Sequence, residues 1–405
     1  MTTLLSNIRV IELGRAVAAP WVGQTLADLG AEVIKVEALE GGDFTRQLGP
    51  SYIPDGDGRP TSDGAVFAGL NRTKKSIAVD LSKPEGADMV RRLGAISDVF
   101  IENFKPGDLS RRGLDYPALS ADSPSLIYIS ISGFGQSGPY RSRPGMDGIV
   151  QGMCGFMYLQ GHAGGPPATS TMPVMDFFTG MNGVVAVLAA LYGRDARGGQ
   201  GQYIDLALFD SALAMMSYRI TEHLISGVDP ERGQPDDGIS PAGVFKLQGG
   251  AEVQILIRSD AEFARLCEQL ERPELAKDPR FSTAAARTAN REAVTCATAK
   301  LVAQLSPATA FERLERGGIL HSPISRLSEV IRHPQVEARK LIGQSPHAQG
   351  GSVDFVRNPI RFSRTPVERY HAPPVLGAHT DEILSSLLGI SSEQLRELRE
   401  QRVVG

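Results

Sequence analysis

The stretch from Ile8 to Glu37 constrains the fold more than any other. Ile8–Leu13 (IRVIEL) is a largely apolar run that ends at Gly14, the pattern of a buried strand. Trp21–Leu29 repeats its apolar residues at helical spacing, and Gly30 sits where a helix-ending glycine belongs. Glu32–Glu37 (EVIKVE) then reads as a second strand. A strand, a helix and a strand in close succession form a βαβ unit, whose two strands lie parallel in one sheet. The unit sets the tight loop Gly14–Pro20 at the carboxyl end of the first strand, where open α/β sheets bind ligands.

The alternation continues through NRTKKSIAVDL (Asn71–Leu81), a helix from about Pro84, and strands at Asp98–Asn103 (DVFIEN), Leu126–Ser132 (LIYISIS) and Tyr203–Asp210 (YIDLALFD). This pattern predicts the α/β class, with a doubly wound, mostly parallel sheet. Gly227–Ser240 (GVDPERGQPDDGIS) is rich in glycine, proline and charge and marks a domain boundary. Gly243–Ile257 reads as a hairpin turning at Gln248–Ala251, and the helical segments after it predict a smaller α+β domain. A strand near Pro359–Phe362, a proline-rich loop at Ala372–Gly377 and a helix at Ser391–Glu400 follow. The expected division is the N-terminal part of a large domain (1–200), a linker (201–228), a small domain (229–340) and a return segment completing the large domain (341–405).

Composition narrows the function classes. At 405 residues the chain is long enough for two domains. A net charge of −4 and an isoelectric point near 6.0 argue against nucleic acid or a membrane surface as partner. The three cysteines, Cys154, Cys267 and Cys296, are widely spaced and form no Cys/His cluster, so reduced thiols and no metal site are expected. MTTLLSNIRV lacks a signal-peptide core and no later run reads as a membrane span, so a cytoplasmic location is expected.

Two motifs carry chemistry. In Met172–Gly193, Asp176 stands among apolar residues, and Val184, Val187, Leu188 and Leu191 recur behind it at helical spacing. Pro173 sets the helix start near Asp176. One reading makes Asp176 an N-cap. The other makes it a reactive carboxylate, kept ionised by the helix N-terminus and shielded from water by Phe177 and Phe178. Gly133–Gly138 (GFGQSG) matches G-x-G-x-x-G after a strand, but Pro139 and Pro144 follow where a dinucleotide fingerprint opens a helix. It reads instead as a glycine-rich loop that lets backbone approach a ligand.

Together, ELGRAVAAPWVGQTLADLGAEVIKVE, GGDFTR, NRTKKSIAVDL, DVFIENFKPG, SGFGQSGPY, VMDFFTGMNG, RGGQGQYIDLALFDSAL and LGAHTDEIL strongly resemble the class III CoA-transferase family, which includes the α-methylacyl-CoA racemases. The resemblance implies a Rossmann-like large domain built from both ends of the chain, an inserted small domain and an interlocked homodimer. It implies no permanently bound cofactor, and an acyl-CoA and a small carboxylic acid as substrates. Val17 and Ala18 resemble the loop against the pantetheine arm, and Val79, Asp80 and Leu81 the adenine-side segment. Asn103, Phe104 and Arg111 resemble the element beside the nucleotide, with Arg112 a further phosphate candidate. Ser132, Gly133 and Gly135 join the CoA-binding set, the glycine-loop N–H groups as oxyanion donors. Asp176 matches the nucleophilic aspartate, which takes the acyl group as a mixed anhydride and then carries CoA as a thioester.

Departures from the family pattern choose among activities. The racemase branch needs a histidine in the segment Pro144–Gly148 (PGMDG), and Met146 cannot carry a proton. His162 is the nearest histidine in sequence and reads as a loop residue. Ser132 stands where the formyl and oxalate transferases carry a lysine, and Ala38 where they carry an arginine. A CoA-transferase acting on a small dicarboxylate is therefore expected. An α-carbon epimerase of acyl-CoA and a CoA-binding protein without turnover are the alternatives.

Overall fold

Six short segments form the main sheet: β1 (Arg9–Glu12), β2 (Glu32–Glu37), β3 (Lys75–Ala78), β4 (Val99–Glu102), β5 (Ile127–Ser132) and β6 (Tyr203–Ala207). In the computed structural model, which describes residues 3–233 and 238–405, they lie in the order β3-β2-β1-β4-β5-β6, and every neighbouring pair is parallel. Residues 1, 2 and 234–237 lie outside the described residues, so the start of MTTLLSNIRV and the middle of the Gly227–Ser240 boundary segment are not covered. Val10, Val33, Val99 and Ile129 point to one face, and Ile11, Ile34, Phe100 and Tyr128 to the other. Both faces are buried, which is why these strands read as apolar runs.

Helices cover each face. On the first lie α1 (Ala18–Asp28), α3 (Asp147–Met153) and α4 (Val174–Ala196). On the second lie α2 (Pro84–Ala95), α5 (Thr380–Leu388) and α6 (Ser392–Glu400). Burying Val184, Val187 and Leu191 of α4 contributes about 1.5–3 kcal/mol for each side chain. Although α4 has the length and hydropathy of a membrane span, contrary to the sequence reading, it packs on α1 and on the sheet. Gly180 permits that approach, because a Cβ there would stand 2.9 Å from the Ala18 carbonyl oxygen.

The chain divides into two compact units: Met1–Gly161, Pro166–Pro230 and Glu337–Gly405 form one, and His162–Gly165 with Glu231–Val336 the other. Residues 201–228, expected to be a linker, instead carry β6 and the helices Leu208–Met215 and Ser217–Ser226 of the first unit. The last residues close an edge of the main sheet: the Gly405 N–H donates to Ala78 O (3.1 Å) and the Asp80 N–H to Val403 O (2.9 Å). Pro359–Phe362 is not a strand. Pro359 lacks an N–H for a ladder, and Asn358 Oδ1 accepts the Ile360 N–H in a local turn (3.0 Å). In the second unit, Ala242–Lys246 and Glu252–Leu256 form the expected hairpin, and Leu320–Pro323 adds a third strand.

Candidate active site

At the carboxyl ends of β1 to β4, where the strand order reverses about β1, the large unit opens a cleft of about 570 Å³. Gly14, Arg15, Ala38, Phe104 and Arg112 line it, together with Val79, Asp80 and Leu81 from the end of β3. Of the residues expected to hold CoA, Val79, Asp80, Leu81, Phe104 and Arg112 thus share one cavity. Asn103 does not line it but shapes its wall, because its amide accepts the Arg15 N–H (3.0 Å) and donates to Arg15 O (2.7 Å). Those bonds hold the Arg15 guanidinium 4.8 Å from the centre of the Phe104 ring. Glu102, just before Asn103, accepts the Phe104 N–H at 2.7 Å and the Ser130 hydroxyl. Burial pushes its carboxyl up to about 7.

The two arginines of the basic pair part company. Arg111 is exposed and pairs with Asp108, and it lines not the cleft but a neighbouring depression with Lys83 and Arg91, whereas Arg112 borders both. Arg112 donates to carbonyl oxygens, Leu81 O at 3.2 Å and Asp108 O at 2.8 Å, and among the described residues it has no carboxylate within ion-pair distance. Arg402, from the end of the chain, also reaches the cleft, where it pairs with Glu40.

A buried charge cluster holds the loop between β1 and α1. Glu12 receives the Lys35 ammonium at 3.0 Å and the Lys74 ammonium at 2.8 Å, and all three side chains are inaccessible. Lys35 also donates to Gly14 O (2.6 Å) and Lys74 to Pro20 O (2.9 Å), so the cluster grips the start of the loop and the first turn of α1. Burial pushes Lys74 down to about 8. Against the same cost of burial, Glu12, Asp43 and Glu37 hold Lys35 above its ordinary range. From the cleft the loop runs to Val17, the N-cap of α1, and to Ala18, buried at its first position against α4. The Trp21 ring packs edge-on against Phe177 with centroids 4.9 Å apart. Val17 and Ala18 therefore connect the cleft to the first turns of the helix that carries Asp176.

Asp176 is not the N-cap. Helix α4 starts at Val174, directly after Pro173, and no side chain of its own caps it. Proline restricts the residue before it, while its fixed φ suits a helix entrance. The capping oxygen comes from Asp147, at the first position of α3, whose Oδ2 accepts the Met175 N–H at 2.7 Å and the Asp176 N–H at 3.1 Å. Gln151 donates to the other oxygen of Asp147 at 2.5 Å. The helix N-terminus thus serves Asp147 and does not keep Asp176 ionised. Burial, and then the negative charge of Asp147, push the Asp176 carboxyl up to about 7. Phe177, the next residue along the helix, forms the edge-on pair with Trp21. Asp147 is the functional residue that sequence reasoning missed, and its only signal was an aspartate just ahead of a helical stretch.

The glycine-rich loop packs against the segment that leads to Asp147. A Cβ on Gly133 would stand 2.5 Å from Gly145 Cα, so only glycine at both positions lets the loop lie against the segment leading to Asp147. Ser132 Oγ accepts the Gly135 N–H at 2.9 Å, and Asp205 accepts the Gln136 N–H at 3.0 Å. Those two N–H groups hold the turn and are not free to meet an oxyanion, and Ser132 serves the turn as well. Met146 is largely exposed, and His162 belongs to the second unit.

This arrangement meets known proteins along nearly its whole length. A succinate–glutarate CoA-transferase of Agrobacterium fabrum is 42% identical over 385 residues, covering 95% of each chain. A human succinyl-CoA:glutarate CoA-transferase is 32% identical over 402 residues, covering 99% of this chain and 90% of its own. The crystal structure of a CaiB/BaiF family protein from Brucella suis superposes with a TM-score of 0.86 at 41% identity, covering 96% of this chain and all of that one. With residues 5–380 matching the description of CoA-transferase family III, the chain belongs to that family.

Proposed function

We propose that the protein moves CoA between a dicarboxylic acyl-CoA and a dicarboxylic acid, with Asp176 as the covalent carrier. The observation that carries the mechanism is the run of backbone from the cleft, through Gly14–Ala18, to the first turns of the helix bearing a partly shielded carboxyl. Family membership and relatives named as CoA-transferases make the activity class firm. The substrates in those names support a dicarboxylate pair.

In this reading the ionised Asp176 attacks the thioester carbonyl, the C–S bond breaks and CoA thiolate leaves. The thiolate attacks the aspartyl carbonyl of the anhydride and expels the donor acid, leaving an aspartyl-CoA thioester. The acceptor carboxylate attacks that thioester, releases thiolate and forms a second anhydride. Attack of thiolate on the acceptor's acyl carbon then frees the new acyl-CoA and the Asp176 carboxylate. A carboxyl pushed up to about 7 is a stronger base, and so a better nucleophile once ionised, than one in water. The epimerase reading needs a second base, and Met146 offers none.

We further propose a cytoplasmic, interlocked homodimer with a Rossmann-like large domain. The exposed apolar side chains of Tyr218, Leu224 and Ile225 on one helix support a partner surface. Light scattering at nanomolar concentration tests the dimer, since threaded chains do not separate on dilution. Hydroxylamine added during turnover tests the carrier. It should mark the peptide containing Asp176, and Asp176→Asn should abolish transfer. An unmarked peptide together with an active variant would end the mechanism.

A further inference from the structure

Arg141 and Arg143 lie on the loop between the glycine-rich loop and Asp147. Both are exposed, and among the described residues neither has a carboxylate within ion-pair distance. Arg143 is nevertheless held in place. Its guanidinium stands 5.2 Å from the centre of the Tyr140 ring, and its backbone N–H donates to Tyr140 O at 2.8 Å. Tyr140 packs edge-on against Phe134 at 5.6 Å, and Phe134 packs on Phe209 at 6.0 Å. A ladder of rings therefore carries a cation on the same loop that Gly145 presses against Gly133. Four residues further on, Asp147 holds the Asp176 N–H (3.1 Å). Backbone from 143 to 147 spans at most about 14 Å.

The local charge makes a cation necessary. Asp147 accepts the Asp176 N–H, so two carboxylates stand together at the start of α4. An acid with two ionised ends, brought to Asp176, meets repulsion from both. One end reacts, but the other keeps its charge and is costly to bring there without a partner. Lys35 and Lys74 are committed to Glu12, whereas Arg15 and Arg112 line the cleft at the ends of β1 to β4. Arg143 is free, pre-positioned by packing, and shaped for bidentate carboxylate recognition.

We propose that Arg143 is the specificity-determining residue that binds the free, distal carboxylate of a dicarboxylic substrate while its other end reacts at Asp176. The inference rests on the reading of Asp176 as the reacting group. Because donor and acceptor occupy the same place in turn, the contact serves succinyl-CoA as well as glutarate.

Steady-state kinetics on the full chain test it, with succinyl-CoA and glutarate as one pair and butyryl-CoA and propionate as the other. Arg143→Gln should raise KM for glutarate and for succinyl-CoA by about 10- to 100-fold, the scale of a lost charge-assisted hydrogen bond. It should retain kcat and leave the monocarboxylate pair unchanged. Arg143→Lys should fall between, and Arg141→Gln should resemble wild type. An unchanged glutarate KM in Arg143→Gln overturns the proposal, as does an equal loss in Arg141→Gln, which would reveal only the field of the loop. If wild type does not turn over the monocarboxylate pair, the glutarate data decide: a raised KM with kcat retained supports the contact, and a lower kcat at unchanged KM overturns it. Hydroxylamine trapping separates the two readings. A marked Asp176 with an unaltered KM in Arg143→Gln removes only Arg143, whereas an unmarked Asp176 in wild type removes both.

Discussion

Replacing Asp176 by asparagine should stabilise the protein at pH 8 while abolishing transfer. The carboxyl rises from its ordinary pKa of 3.8 to about 7 on folding, first through burial and then through the charge of Asp147. At 1.36 kcal/mol per unit, a rise of about three units costs about 4 kcal/mol once the group is ionised. The side chain keeps partial access to solvent, and screening reduces this to about 2 kcal/mol. The folded chain binds this proton more tightly than the unfolded chain. The cost is therefore absent below 3.8, grows as the pH rises to about 7, and is constant above. Asparagine never ionises, and its amide can donate to Asp147. Thermal unfolding of both proteins at several pH values from 5 to 8 checks this. The variant should melt about 2–3 °C higher at pH 8, at about 1.2 °C per kcal/mol for 405 residues. Its advantage should shrink as the pH falls. A variant no more stable than wild type at pH 8, or equally favoured at pH 5, would refute the reasoning.

Asp147→Asn keeps a capping oxygen but removes the like charge, so the acid limb of kcat/KM should move to lower pH, and a pH–rate profile that does not move would show that Asp147 leaves Asp176 unperturbed. Arg112→Ala should weaken CoA binding by about 1–3 kcal/mol in calorimetry, whereas Arg111→Ala, already paired with Asp108, should change it by less than about 0.5 kcal/mol. Lys74→Met leaves Glu12 with one cation and removes a donor from Pro20 O, so a loss of about 3–5 kcal/mol is expected in denaturant titration. An unaffected midpoint in that titration would mean the cluster contributes little.

Strand β1 was legible because both its faces are buried, so Ile8–Leu13 reads as one apolar run. The body of α4 was legible from the spacing of Val184, Val187 and Leu191, whereas its start was misread because Pro173 opens the helix at Val174. Val79, Asp80 and Leu81 follow β3 as a contiguous stretch, and the resemblance grouped them as CoA contacts with Phe104 and Arg112, with which they share one cavity. It could not separate Arg111 from Arg112, because neighbours in a short helical turn point to different surroundings. Asp147 and the cluster of Glu12, Lys35 and Lys74 were illegible for another reason. Their partners lie far apart along the chain, and a lone polar residue carries no period from which to infer one.

The shared carboxylate of Glu12 also bears on how this part of the chain can change. Glu12 and Lys35 come from neighbouring strands and Lys74 from the approach to a third, yet their common product is the fixed position of two carbonyl groups, one at the start of the loop and one in the helical turn that follows it. A new loop grafted between β1 and α1 would inherit two anchor points that it does not encode. Conversely, losing any one of the three charges shifts the loop without altering a residue in it. Random mutagenesis for altered acyl preference would thus find its strongest effects at inaccessible positions, as linked substitutions at 12, 35 and 74 that preserve the charge balance, and single changes at these sites would be lost from the population before any preference was measured.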